Sequence, residues 1–383
     1  MTVTSAEDMV FVQRVPAKVL PPPVTQVGAI GWARTNLFSS IRSTVLTFFT
    51  AGVLVWIAVP IIQFLLIDAV WSAKDPTACL PREGHEVGAC WAFIHERIGY
   101  FTYGSYPPAE RWRVNLFFLL LAFGSGLMLW LDAPRRGLGA VYFFVVLPVV
   151  SYILLSGWPL IGLPRVETDL WGGMLVTIVV ATVGIVVSLP IGILLALGRQ
   201  SNMLAVRFLS ITFIEFVRGV PLITVLFMAS VMLPLFVPPE FSPDKLLRAL
   251  VGMVIFAAAY QAEVVRAGLE GIPQGQIEAA KALGLRYWRL NSSIVLPQAL
   301  RITIPNIVNS FIALFKDTSL VFFVGIFDFL KTIEVARLDP KWSGPNTSLT
   351  GYAFAAIVYF FCCYLMASYA ESVERRLGRA DRR

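Results

Sequence analysis

Glu278-Ala279-Ala280-Lys281-Ala282-Leu283-Gly284, followed after nine residues by Ile294-Val295-Leu296-Pro297, is the part of this sequence whose residue types and spacing ask for a partner. Gln274 to Leu283 is rich in strong helix formers, and Gly284 stands where a left-handed cap would end the helix. The expected product is a short exposed helix with apolar residues along one side, a shape that docks in a groove of another protein. Charge supplies the other candidates. Glu215 and Arg218 are three residues apart in Phe213 to Leu222, and Glu263 and Arg266 repeat that spacing in Ala262 to Gly268, so each pair shares a helix face. Lys316 and Asp317 interrupt an otherwise apolar run, and charges in such a place need water, a partner or a substrate. None of this is enzyme chemistry. There is no Gly-x-x-x-x-Gly-Lys-Ser/Thr phosphate loop, and no nucleophile, base and orienting acid stand at motif spacing. The chain is read as non-catalytic, with no cofactor of its own.

The elements that position these residues are membrane spans. With 57% hydrophobic and 14% charged residues and a mean hydropathy of +0.73, the chain is an integral membrane protein, not a soluble enzyme. Long runs nearly free of charge extend over Thr44 to Ile67, Val114 to Leu131, Leu138 to Leu163, Leu170 to Leu197, Val220 to Val237 and Gly351 to Ala370. Leu250 to Ala262, which runs into Glu263, and Thr303 to Phe327, which holds Lys316 and Asp317, bring the expectation to eight transmembrane helices in an all-α fold.

Charge placement sets the orientation. With the amino terminus inside, the inner segments carry 19 Lys and Arg against 10 acids, and the outer segments 11 against 13. The basic bias puts both termini and the Glu278 loop in the cytoplasm. The net charge of +7 is thereby a matter of topology and implies no nucleic acid. The expected layout is a polar inner tail over 1–43, including Pro21-Pro22-Pro23, then three spans over 44–165 with an outer loop over 68–113. A five-span part follows over 166–377, and 378–383 is an inner tail. The first 43 residues lack the apolar core of a cleavable signal, so the first span is expected to serve as the insertion signal. In the outer loop, Cys79 and Cys90 are either a disulfide or two thiols, and His85 and His95 lie nearby at a spacing that fits no zinc pattern. Cys362 and Cys363 are adjacent in the last span and read as small core residues.

The Glu278 to Pro297 spacing matches the EAA motif of ABC importer permeases at each fixed position. Together with FIEFVRGVPLI, AYQAEVVRAGLEGIPQGQIEAAKALGL and FKDTSL, in that order, it resembles the polar amino-acid permeases of ABC importers, the group of the histidine and glutamine permeases. The resemblance runs from about Asp169 to Leu377, and the three extra spans in front resemble the M-type subunit of the Aap and Bzt general L-amino-acid permeases. Asp328 stands where a Glu is expected in such relatives, which keeps the charge.

The resemblance implies a five-helix type I importer core that moves L-amino acids from periplasm to cytoplasm in the bacterial inner membrane. It implies a second, homologous permease, an ABC ATPase dimer and a periplasmic amino-acid-binding protein as partners. It assigns ATPase coupling to Glu278, Ala279, Ala280, Gly284, Leu296 and Pro297. For Lys316, Asp317, Ser319, Glu215 and Arg218 two readings stand: they line the substrate path, or they form ion pairs that lock helices together. The rivals are a secondary transporter, for which no matched repeats are found, and a channel subunit without an ATPase, which leaves the EAA spacing unexplained.

Overall fold

The computed structural model describes residues 28–73, 75–80, 87–129, 136–342 and 344–381; Pro21-Pro22-Pro23 and His85 lie outside them. Among the described residues every element is helical, and strand-like contact is limited to three isolated bridges: Val70 with Cys90, Gly104 with Trp171, and Gly173 with Asp328. The chain divides into two compact units, Met1–Asp68 and Ala69–Arg383.

The first unit holds α1 (Gly28–Asn36) and α2 (Ile41–Ile62), the latter started by Ser40, whose side chain accepts from the Ser43 amide. Apolar residues surround α2 on all sides and none is buried, as in a helix whose solvent is lipid. Its π-helical extension carries the span to Ile67.

The second unit begins with α3 (Trp91–Tyr103), α4 (Arg111–Leu129), α5 (Arg136–Val141) and α6 (Leu147–Ser156). Then come α7 (Gly173–Arg199), α8 (Leu204–Arg218), α9 (Leu222–Phe227), α10 (Leu233–Phe236) and α11 (Lys245–Glu270). The remainder is α12 (Gln274–Ala282), α13 (Tyr287–Leu290), α14 (Leu296–Asp317), α15 (Phe329–Ala336) and α16 (Pro345–Asp381).

The all-α membrane fold is as expected, and the span count among the described residues does not reach eight. Among the described residues five helices are long and apolar enough to cross a membrane: Ile41–Ile67, Gly173–Arg199, Lys245–Glu270, Tyr287–Val324 and Pro345–Arg375. A sixth arises only if Leu204–Arg218 and Leu222–Phe236, bent by 106°, form one span. The run from Val220 is thus the second arm of a broken helix; Pro221 at the break supplies no amide hydrogen to continue the first. From the run that starts at Val114, the residues up to Leu129 form most of α4. Leu138 to Leu163 is not one helix, because Gly157, at φ 81°, ends α6 and Val166 turns back to donate to the Ser156 carbonyl.

The main core joins α4, α6, α7, α9 and α11. Tyr106, Val114, Phe117 and Leu155 pack in one cluster with Leu175, Val180, Leu226 and Met253, so packing is continuous across residue 165. Ahead of α3, Cys79 and Cys90 are disulfide-bonded with Cα atoms 5.7 Å apart. The Cys90 amide donates to Thr350 Oγ1 at 2.8 Å, Lys341 pairs with Glu96 at 2.7 Å, and Arg97 pairs with Asp339. A second cluster, with Phe93 and Phe101 against Phe329, Ile333 and Trp342, fastens the same loop to α15 and the start of α16.

Asp328 starts α15. Its carboxylate is fully buried and accepts from the Leu330 and Lys331 amides at 3.0 and 3.1 Å, with the Tyr359 hydroxyl at 3.5 Å. Burial pushes this carboxyl up to about 6, against the pull of the two amides. An acid whose folded pKa is raised holds its proton more tightly in the folded state, so its contribution to stability falls as pH rises from about 4 to about 6. We expect the unfolding temperature of the wild-type chain to drop across that window, and Asp328→Asn, which keeps one cap acceptor and removes the titration, to flatten the drop. Thermal unfolding of both proteins over the same pH series checks this; an unchanged slope in the variant refutes it.

Candidate functional site

The helix expected at Gln274 to Leu283 is α12, and it ends as the sequence requires. Gly284 has φ +74°, its amide donates to Lys281, and the Leu285 amide donates to the Ala280 carbonyl at 3.2 Å, a Schellman-type closure. A Cβ on Gly284 would meet nothing within 4 Å, so the demand for glycine is conformational, not steric. The apolar residues do not form one docking side. Ala280, at 2% exposure, is buried against the inner ends of α7, α8, α11 and α14, and Ile277 packs beside it. Glu278, Ala279, Lys281, Ala282 and Leu283 face outward, joined by Tyr287 and Trp288 of α13. Leu296 is half-buried, and exposed Pro297 follows the π-helical turn Asn291–Val295 inside the longer helix Tyr287–Val324. Gln298 of α14 donates to Gln276 of α12 at 2.7 Å.

Immediately beneath lies a charge network. Arg199, closing α7, reaches Glu215 of α8 at 2.8 Å and Glu263 of α11 at 3.5 Å. Arg218 of α8 reaches Glu263 at 3.3 Å and lies over the Tyr260 ring, and Arg266 Nε donates to Glu263 at 2.9 Å. The two i,i+3 pairs read from sequence therefore fare differently. Glu263 and Arg266 do pair; Glu215 and Arg218 turn to different partners, because neighbouring helices offer opposite charges closer than their own helix does. Arg199 is the residue that sequence reasoning missed. Its signal was available: a lone arginine at the inner end of a long span, 16 residues before Glu215.

Lys316 and Asp317 stand apart from this network. Lys316 is exposed, Asp317 is half-buried, and neither forms an ion pair with a described residue. Ser319 donates to the Lys316 carbonyl at 2.9 Å, which ties it into the turn that follows α14. Among the described residues no three His, Cys, Asp or Glu side chains are grouped to hold a metal.

A bundle of apolar helices, with an exposed helical hairpin seated on buried alanine and charge pairs at one end, defines a multi-pass membrane protein. Residues 188–379 match the model of the family described as "binding-protein-dependent transport system inner membrane component". The chain is 47% identical to the inner membrane amino-acid ABC transporter permease protein YhdY of Escherichia coli strain K12, over 91% of this chain and 93% of that one. It is 41% identical to the glutamate/glutamine/aspartate/asparagine transport system permease protein BztC of Rhodobacter capsulatus, over 94% and 96%. The glutamate/aspartate import permease protein GltK of Escherichia coli O6:H1 is 32% identical over 49% of this chain and 84% of its own length. The chain belongs to this family of inner-membrane ABC transporter permeases.

Glu263 answers three guanidinium groups at once. Glu263→Gln should lower stability by about 1–3 kcal/mol, because Arg218 loses its ion pair while Arg199 and Arg266 are left with Glu215 and Glu270. Glu215→Gln, on a side chain 54% exposed, should cost under about 1 kcal/mol. Thermal unfolding of the purified variants measures the order; equal losses would show that Glu263 is not the hub.

Proposed function

We propose that the protein is the permease subunit of an ATP-driven importer that carries L-amino acids from the periplasm to the cytoplasm. In this reading both termini are cytoplasmic. A second homologous permease completes the path, a separate ABC ATPase dimer hydrolyses ATP, and a periplasmic binding protein delivers the substrate. What carries the reading is the outward face of α12, with Glu278, Ala279 and Leu283, built on a helix anchored through Ala280. The long relatives that align over nine-tenths of the chain bear amino-acid permease names, which supports the substrate class.

The mechanism follows from the anchorage. α12 follows α11 after a three-residue turn and is tied to α14 through Gln276 and Gln298, so a pull on α12 acts on both spans. The ATPase, by binding ATP in its closed form, would favour one of two packings of the permease pair and so switch the cavity between inward- and outward-open. Leu296 and Pro297 set the direction in which α14 leaves the coupling hairpin. Residues 166–377 are the transport core, and 44–165 are an added part.

Gly284→Val keeps the space but places a β-branched residue at positive φ, a strain of roughly 1–2 kcal/mol that unwinds the cap. Glu278→Lys inverts a charge at the docking face. Each should cut amino-acid uptake into proteoliposomes about tenfold or more while insertion stays normal. Uptake at the wild-type rate in either variant would refute the coupling role.

Lys316 and Asp317 are proposed to line the path or its gate, with Ser319 beside them. An amino acid presents a carboxylate and an ammonium, and a cation next to an anion in a water-lined cavity answers both. Lys316→Met and Asp317→Asn should change uptake or substrate preference severalfold and leave assembly and basal ATPase activity near wild type. Loss of the complex from the membrane in both variants would make these charges structural. Glu215 and Arg218, held by Arg199 and Glu263, are assigned to the lock between helices and not to the path.

A further inference from the structure

Away from the coupling face, α6, α7 and α11 enclose a crevice of about 850 Å³. Its deep walls are aliphatic: Pro148 and Leu155 of α6, Val183 and Val187 of α7, Leu247 and Leu250 of α11. On α7 its lining runs from Val179 to Val187, roughly 12 Å along the helix, with Trp171 just before the helix beside the mouth. It is open on its flank, where Tyr152 is 65% and Leu247 50% exposed. Its mouth is charged. Arg165, Glu167 and Asp169 are all exposed there, none of them in an ion pair with a described residue, and Asp244 completes the rim.

Two further observations point to an occupant. Ser151 and Trp171, 9% and 6% exposed, both line the crevice, and Ser151 Oγ and Trp171 Nε1 have no hydrogen-bond partner among the described residues. Beside the mouth, Trp158, Leu160 and Ile161 form an apolar turn, with Leu160 87% exposed. The turn is forced into that position by Gly157, where a Cβ would lie 2.1 Å from the Pro164 carbonyl oxygen. Tryptophan with aliphatic neighbours at the end of a span belongs at the boundary between lipid tails and head groups. A polar solute would find too few partners in the deep aliphatic part of this crevice.

We propose that the crevice binds one phospholipid, an acyl chain lying along α7 and a phosphoethanolamine head group at the mouth. The tail contributes little selectivity, because bulk lipid is as apolar as the crevice wall. Selectivity resides in the head group. Arg165 pairs with the phosphate, and Glu167, Asp169 and Asp244 receive the ammonium, so three carboxylates against one guanidinium disfavour an anionic glycerol head group.

Native mass spectrometry of the full chain, purified from membranes in detergent and titrated with phosphatidylethanolamine or phosphatidylglycerol, tests the site. The wild-type protein should retain one phosphatidylethanolamine with about tenfold preference over phosphatidylglycerol. Val183→Trp, which fills the crevice, should reduce retention about tenfold. The double change Glu167→Lys with Asp169→Lys touches only exposed side chains, so it leaves packing intact and should turn the preference toward phosphatidylglycerol. Equal retention of the two lipids by wild type, undiminished retention by a folded Val183→Trp, or an unaltered preference in the double variant would each overturn the proposal.

Discussion

Gly192 on α7 has no side chain where Gln261 and Ala262 of α11 pass, and a methyl there would lie 2.7 Å from Gln261 Cβ and 3.0 Å from the Ala262 nitrogen. Close approach of two backbones is how helices associate when the surrounding lipid is as apolar as their own side chains. The consequences spread from this contact. With α11 held against α7, Glu263 comes within reach of Arg199, and α8 is drawn in because Glu215 and Arg218 complete the same network. Gly268, one turn beyond Glu263, repeats the device against α14, where a Cβ would be 2.6 Å from the Ala299 carbonyl oxygen. Two glycines therefore fix the three helices on which α12 sits.

The hairpin shows why an exposed docking element needs a buried foot. Ala280 is small enough to sit on the inner cluster without displacing Leu290 or Val295, and this seats α12 while its other side stays free. A larger residue would lift the helix off its seat. The motif's first alanine, Ala279, faces outward, so the two alanines serve different surfaces.

At the opposite end of the same bundle, the disulfide-closed loop is built into the structure. Its cross-links reach Thr350, Asp339 and Lys341, on or just before α16, and its aromatic residues share a cluster with α15. Residues 79–101 thus contribute to the packing around α15 and the start of α16. The buried Asp328 cap lies there, bridged to Gly173 at the start of α7.

The sequence by itself determined a good deal. Charge-free apolar runs mark membrane spans whatever their neighbours, since an unpaired charge in hydrocarbon is costly in any arrangement. The α12 helix and its left-handed Gly284 cap are likewise local, set by propensity and backbone sterics. The pairing of Cys79 with Cys90 was one of two open readings. Other features were decided only by tertiary structure. Whether Leu138 to Leu163 continued as one helix depended on Gly157 turning the chain back onto Ser156, and whether Val220 began a new span depended on the bend from α8. Glu215 and Arg218 have the right spacing to pair, yet each finds a better partner on another helix, and Arg199 acquires its role only there. Helical spacing fixes which residues share a face. It cannot fix which face meets a neighbour, and charges choose partners by distance across the packed bundle.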